Sequence, residues 1–358
     1  MRVNLNFKKL DINNSLTIVG IAAGVFLVVF LFWWRWGQLS WLDGSNIIGI
    51  KNEDQRPRAS LTGLACENYD KRPIAVMMAS DPEARPLSGI GQADLVVEMP
   101  VTPNGITRMM AIFQCEEPFD SAQGKPADIG SIRSAREDFL PLAASFGALY
   151  AHWGGEREAL NELNNGILDN IDAMKYEGTV FYRKNSVPRP HNGFTTTELL
   201  EDKAEDLGYE LNDTFTGFLR EEKKPERNLN NIVSAVSVDY ENSYRVEWNH
   251  NDESNTYKRI RGGEAEIDKN TGKQVETNIV VLMHTTSKVL NKDYITVNTT
   301  GEGEAEFYQN GIKTGGKWKN VANDFRFYDS SGQEMKFILG KMWMHFVTNN
   351  QQPTTNNK

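Results

Sequence analysis

The sequence predicts an α/β domain (a mixed sheet with flanking helices) joined to a mostly β domain, both behind one transmembrane helix. Three observations carry this. Leu16 to Trp34 form a run of nineteen residues without a charge. Residues 71–220 alternate short apolar runs with apolar positions at helical spacing. Residues 231–348 hold a succession of strand-like segments separated by turn signals.

The apolar run comes first in the chain. At about 1.5 Å of rise per residue it spans roughly 28 Å, close to the hydrocarbon thickness of a bilayer. Arg2, Lys8 and Lys9 precede it, whereas only Arg35 follows closely before Asp43. The basic excess stays in the cytoplasm, so residues 1–15 are expected inside and the remainder outside. Trp33, Trp34, Trp36 and Trp41 suit the outer interface. A cleaved signal peptide is the alternative, but the run ends in bulky Phe32, Trp33 and Trp34 rather than at a small-residue cleavage site. Gly63-Leu64-Ala65-Cys66 faintly resembles a lipidation site, yet lies well beyond the apolar run.

Composition narrows the remainder. Outside the anchor the chain is long enough for two domains. A formal net charge of −9 argues against wholesale nucleic-acid binding. Cys66 and Cys115 both fall outside the membrane, where disulfides persist, and are expected to pair; two buried free thiols are the alternative.

Residues 35–70 read as a polar tether. In the α/β domain, 71–220, Ile74 to Met78, Ala93 to Met99, Ile106 to Phe113 and Ala148 to Ala151 are candidate strands. Phe139, Leu142, Ala143 and Phe146 recur at helical spacing, and further helices fit Gly155 to Asn164 and Thr197 to Leu207. Residues 221–230 form a charged linker. The mostly β domain, 231–348, has candidate strands at Val233 to Tyr240, Tyr244 to Trp248, Asn278 to His284, Tyr294 to Val297, Glu304 to Tyr308, Phe325 to Tyr328 and Met344 to Val347. Asn310-Gly311, Gly315-Gly316 and Ser331-Gly332 are read as turns between them. Residues 349–358 read as a disordered tail.

The strongest local chemical signal is Ile129 to Glu137. Ser134 and Glu137 have capping-box spacing, which predicts a helix starting at Ser134. Arg133 and Arg136 flank that start, where acidic residues are normally favoured. Two guanidinium groups there suit a bound anion, or else each pairs with a carboxylate of the protein. His152, Gly154 and Gly155 end a strand and enter a helix, a place where backbone can approach a ligand or simply turn. Arg183, Arg189, His191 and Asn192 form a third polar cluster, a ligand loop or a solvated one, and Arg108 adds a cation beside a strand. Asp94 and Glu98 share a strand face but stand roughly 13 Å apart, too far for one metal ion or a glycosidase pair. The five histidines, His152, His191, His250, His284 and His345, lack ligand spacing, so no metal site is predicted.

The strings Arg72 to Glu98, Gly105 to Gln114, Ile129 to Arg136, Tyr150 to Gly155 and Phe181 to Asn192 together resemble the YerB-like family of bacterial extracytoplasmic proteins and lipoproteins, with its N- and C-terminal domains of unknown function 3048. Asn278 to Val281, Gly316 to Trp318, and Tyr328, Asp329 and Gly332 resemble its second domain less strongly. The resemblance implies a bacterial cell-envelope location and names no chemistry. Many relatives look like lipoproteins, whereas this chain reads as helix-anchored.

Two functions of different class follow. In the first, Arg108, Arg133, Ser134, Arg136, His152, Gly154, Gly155, Arg183, Arg189, His191 and Asn192 line a cleft for phosphate, pyrophosphate or an acidic sugar. In the second, the same cleft is an enzyme acting on a lipid-linked pyrophosphate or wall glycopolymer, with His152, His191 or Glu98 as acid or base. A scaffold for envelope proteins is a third reading. No cofactor is predicted, except that Mg²⁺ would accompany a pyrophosphate. Expected partners are the membrane through residues 16–34, an envelope polymer or lipid-linked anion, and an envelope protein, but not nucleic acid.

Overall fold

Strands whose consecutive residues are all apolar can be satisfied only in a sheet covered on both faces. Ile74–Ala79 (β1), Leu95–Pro100 (β2), Thr107–Phe113 (β3) and Leu149–His152 (β4) are buried at every position. Their helices are Leu140–Ser145 (α1), Arg157–Asn164 (α2) and Thr197–Asp206 (α3), with Asn170–Asp172 (β5) between α2 and α3. The computed structural model describes residues 56–115, 119–120, 125–221, 232–348 and 354–356. The run 16–34 and most of the segments 35–70 and 221–230 lie outside these. Among the described residues no helix is long and apolar enough to cross a membrane.

The second half of the chain contributes Ala235–Val238 (β6), Val246–Asn251 (β7), Thr256–Arg261 (β8), Ile279–Thr285 (β9), Gly301–Gln309 (β10), Ile312–Val321 (β11), Asp324–Asp329 (β12) and Met342–Thr348 (β13). Both halves build one ten-stranded mixed sheet, in the order β12-β11-β10-β9-β13-β2-β3-β1-β4-β5. The junction is the parallel pair β2–β13, with Leu95 opposite Met342 and Glu98 opposite His345. Residues Arg56–Lys358 accordingly form a single compact unit. The α/β half and the mostly β half fall on either side of residues 222–231, as their sequence patterns indicate, but share this sheet.

Alternation along each strand divides the core by face. Ala75, Met77, Val97 and Met110 pack with Phe139, Phe146, Val281, Phe307 and Phe346 on one side. Val76, Met78, Val96 and Ala111 pack with Phe181, Leu200, Trp248, Tyr257 and Trp343 on the other. A smaller antiparallel sheet, β6-β7-β8, covers part of this second face.

Several local expectations are corrected. Residues 56–70 do not behave as a tether: Ala59 and Leu61 are buried, and Cys66 is bonded to Cys115 with Cα atoms 5.8 Å apart. Gly315 and Gly316 make no turn but lie inside β11. A Cβ at Gly316 would stand 2.0 Å from the Tyr328 carbonyl oxygen, so this glycine admits a close strand neighbour. The true turn is Asn310-Gly311, both with positive φ, which joins β10 to β11. Of the segment read as a disordered tail, Thr354–Asn356 pairs antiparallel with Ala235 to Ser237. The strand β8 escaped detection because its pattern is inverted: Arg259 and Arg261 face inward, while Lys258 and Ile260 are only half-buried.

Candidate functional site

Parallel strands β1 and β4 pair over Ile74 to Val76 and Leu149 to Ala151, and then separate. The segment Ser131 to Ala135 fills the gap. Ala79 donates its N–H to the Ser131 carbonyl (2.9 Å), and Arg133 donates to that of Met77 (2.8 Å). On the other flank Trp153 donates to the Arg133 carbonyl (3.0 Å), and Ala135 donates to that of Gly154 (2.9 Å). This wedge sits at the carboxyl ends of parallel strands, where α/β folds place ligand sites.

The wedge brings arginines together. Arg108, on β3 opposite Ala79, is buried and donates from Nη1 to Asp81 Oδ2 at 2.9 Å. Asp81 follows β1 directly and also accepts from the Tyr244 hydroxyl at 3.4 Å. Arg133 Nη1 donates to the Pro190 carbonyl at 3.4 Å, which draws the loop carrying His191 onto the cluster. Arg136 donates to the Ala135 carbonyl at 3.0 Å and lies 5.1 Å from the centre of the Tyr294 ring.

Electrostatics connect these groups. Burial lowers Arg108 to about 10 despite Asp81, with the like charges of Arg133 and Arg136 adding to the effect. Arg133 is lowered by burial too, again opposed by Asp81 and reinforced by Arg136. Burial would raise Asp81, but Arg108, Arg133 and His191 hold it below the usual carboxylate value. His191 is lowered by burial, against the pull of Asp81. Two guanidinium groups, those of Arg108 and Arg133, and a histidine thus act on one carboxylate, and Arg136 adds a third positive charge felt by both arginines. Nε of Arg108, Arg133 and Arg136, Nδ1 of His191 and Oγ of Ser131 are buried without a hydrogen-bond partner.

Other candidates go elsewhere. No helix starts at Ser134: the first turn begins at Glu137, after Arg136, without a side-chain cap. The Glu137 N–H is taken instead by Glu156 Oε1 at 2.7 Å, so no capping-box anion site forms there. His152 is buried and satisfied, with Nδ1 2.8 Å from the Gly154 carbonyl and Nε2 3.2 Å from Asn170 Oδ1. Gly154 has φ +60° in a turn, and Gly155 packs where a Cβ would meet that of Ala135 at 3.0 Å. Arg183 is spent internally on Glu177 (2.6 Å), on Asn192 Oδ1 (2.9 Å) and on the Trp153 ring (4.1 Å). Arg189 is exposed on the loop of His191.

Glu98 belongs to a different site altogether. It is fully buried between the two sheets, where Arg259 Nη2 donates to its Oε2 (2.6 Å), Arg261 donates to its Oε1, and the Thr107 hydroxyl donates to Oε1 (2.7 Å). Glu266 accepts from Arg259 Nε and from Arg261 Nη1, completing a buried ion network. Burial would raise Glu98, but the two guanidinium groups hold it well below the carboxylate range. Burial drives His345 down to about 3 despite Glu98, so the ring is neutral and accepts from Trp248 Nε1 at 3.0 Å. Sequence reasoning missed Arg259, Arg261 and Glu266 because charged residues at inward strand positions look like a solvent face.

The comparisons with known proteins agree with this architecture. Residues 61–210 match the family description "Protein of unknown function (DUF3048) N-terminal domain", and residues 236–344 match its C-terminal domain. A Bacillus subtilis (strain 168) protein named "Putative lipoprotein YerB" is 30% identical over 308 residues, covering 83% of this chain and 88% of that protein. The crystal structure of YerB from Bacillus subtilis is similar with a TM-score of 0.73 at 28% identity, covering 83% of this chain and 99% of that one.

Proposed function

This chain belongs to the DUF3048 family, and we propose that it is an extracytoplasmic envelope protein, held to the membrane by residues 16–34, that binds an anionic ligand at the cluster of Arg108, Arg133, Arg136 and His191. The single observation that carries the binding reading is the set of buried, unpartnered polar atoms in that cluster. Buried polar groups are nearly always satisfied, and a phosphate, pyrophosphate or acidic sugar supplies several acceptors to neighbouring guanidinium groups at once. Arg133 and Arg136 are only half-buried, so the cluster is open to solvent on their side. The exported location rests on the basic excess before residue 16 and on the lipoprotein name of the Bacillus relative.

Catalysis at the same cluster is the second reading. It is favoured by His191, which burial biases toward the neutral form and whose Nδ1 has no partner. A neutral ring beside bound anion can take a proton, so turnover would depend on it.

The test is thermal unfolding of residues 56–358 with phosphate, pyrophosphate, a polyprenyl phosphate in detergent, and acidic wall fragments, each with and without Mg²⁺. At about 100 times the dissociation constant a ligand adds about 2.7 kcal/mol to stability. The expected result is a rise in Tm with at least one anion, abolished in Arg133→Gln/Arg136→Gln. A rise that survives the double substitution, or no rise with any anion, overturns the reading. Product formation lost in His191→Gln with binding intact would select the enzyme.

A further inference from the structure

A hairpin formed by Ser287–Val289 and Ile295–Val297 projects beyond β9. Its base is pinned from several sides. Ile295 donates its N–H to the Val101 carbonyl (3.2 Å), the Thr296 hydroxyl donates to Asp138 Oδ1 (2.7 Å), and Val297 donates to Asp138 Oδ2 (2.8 Å). Its tip is ordered by an Asx turn, in which Asn291 Oδ1 accepts from Asp293 and Tyr294 N–H groups at 2.8 and 3.0 Å. At that tip Val289 is 62% and Leu290 52% exposed, at consecutive positions of the chain. Lys288 and Lys292 flank them, also exposed.

Single exposed apolar residues are ordinary, but an adjacent aliphatic pair on a pinned, protruding turn between two lysines has the chemistry of an interfacial contact. We infer that the hairpin tip docks on an anionic lipid surface, with Val289 and Leu290 entering the headgroup–acyl boundary and Lys288 and Lys292 meeting lipid phosphates. Charge argues for lipid over a protein partner. The whole chain is net −9 and would be repelled by an anionic bilayer, except where lysines bracket an apolar tip. The tip protrudes, so a bilayer accepts it without the matching pocket that a protein partner would have to supply. Asp293 is the one carboxylate in the turn, and Tyr294 carries the contact back to Arg136. The inference does not need the anion cluster to bind anything.

Residues 56–358, a compact unit free of the apolar run at 16–34, would be sedimented with vesicles of phosphatidylglycerol and phosphatidylcholine, and with phosphatidylcholine alone. The expected result is binding to the anionic vesicles, weakened about tenfold or more in Val289→Ser/Leu290→Ser, as removal of two aliphatic groups from an apolar phase requires. Lys288→Gln/Lys292→Gln should remove the preference for anionic lipid. Both variants change exposed residues only, and an unchanged Tm verifies their fold. Arg133→Gln, which leaves the Arg136 contact with Tyr294 in place, should bind vesicles as well as the parent. No binding by the parent, equal binding by the hairpin variants, or loss confined to the arginine variant overturns the inference. The last outcome would still leave the anion-binding reading standing.

Discussion

Glu98 and His345 are register partners across the parallel pair β2–β13, with Glu98 Oε2 3.7 Å from His345 Nδ1. The junction between the two halves of the sheet therefore carries a buried carboxylate, which Arg259 and Arg261 reach from the smaller sheet. Buried ion networks add little net stability over an apolar equivalent, but breaking one leaves a charge uncompensated. Stacking the two sheets in another register would leave Glu98, Arg259 and Arg261 buried without these partners.

Replacing Glu98 tests this directly. Glu98→Gln leaves Arg259 and Arg261 with Glu266 alone and should cost roughly 3–5 kcal/mol. Urea unfolding of residues 56–358 measures it. A loss below about 1 kcal/mol would mean that the network is dispensable.

The paired glycines of β11 give a sharper steric test. A Cβ at Gly316 meets the Tyr328 carbonyl oxygen at 2.0 Å and the Phe307 ring at 2.8 Å, whereas at Gly315 nothing lies within 4 Å. Gly316→Ala should therefore destabilise by several kcal/mol, about 3 or more, or prevent folding. Gly315→Ala should be near neutral, within about 0.5 kcal/mol. Equal Tm values for the two variants would contradict the strand packing described above.

Asp138 predicts a pH dependence. Burial raises it to about 6, although Thr296 and Val297 donate to its oxygens. A carboxyl group raised on folding stabilises fully below its unfolded value near 3.8, and that contribution fades as pH climbs through about 6. The difference of about two pH units corresponds to about 3 kcal/mol at most. Asp138→Asn mimics the protonated acid, since its amide can donate to Thr296 and its oxygen can accept from Val297. The variant should flatten the stability profile between pH 4 and 6 and match or exceed the parent at pH 8. An unaltered profile would assign the slope to other groups.

The Cys66–Cys115 bond closes a loop with a sequence separation of 49. Chain entropy puts its contribution at about 4 kcal/mol. Reduction, or Cys66→Ser/Cys115→Ser, should lower the urea midpoint accordingly. A much smaller change would mean that residues 56–70 are held by the burial of Ala59 and Leu61 alone.

Much of this was legible in the residues. Uniformly apolar runs such as Ile74 to Met78 announced doubly covered strands, because only burial on both faces tolerates them. The Asn310-Gly311 hairpin was visible because a two-residue turn needs positive φ. Arg108, Arg133 and Arg136 were identifiable as cations, and His191 as a titratable ring, in apolar or punctuated surroundings. Their separation from Arg183, His152 and Glu98 was not, since each of those three is satisfied by residues distant in sequence or by turn geometry. Arg183 spends its donors on Glu177 and Asn192, and Glu98 accepts from Arg259 and Arg261, more than 150 positions away.

The sequence by itself determined the family and the approximate place of most strands along the chain, though not of β8 or β11, because periodicity and turn chemistry are local properties. Tertiary structure decided that two segments with separate patterns share a single sheet, and which buried charges neutralise one another. Strand order across a sheet and ion pairing across an interface depend on contacts between residues far apart in the chain, and no local pattern encodes those.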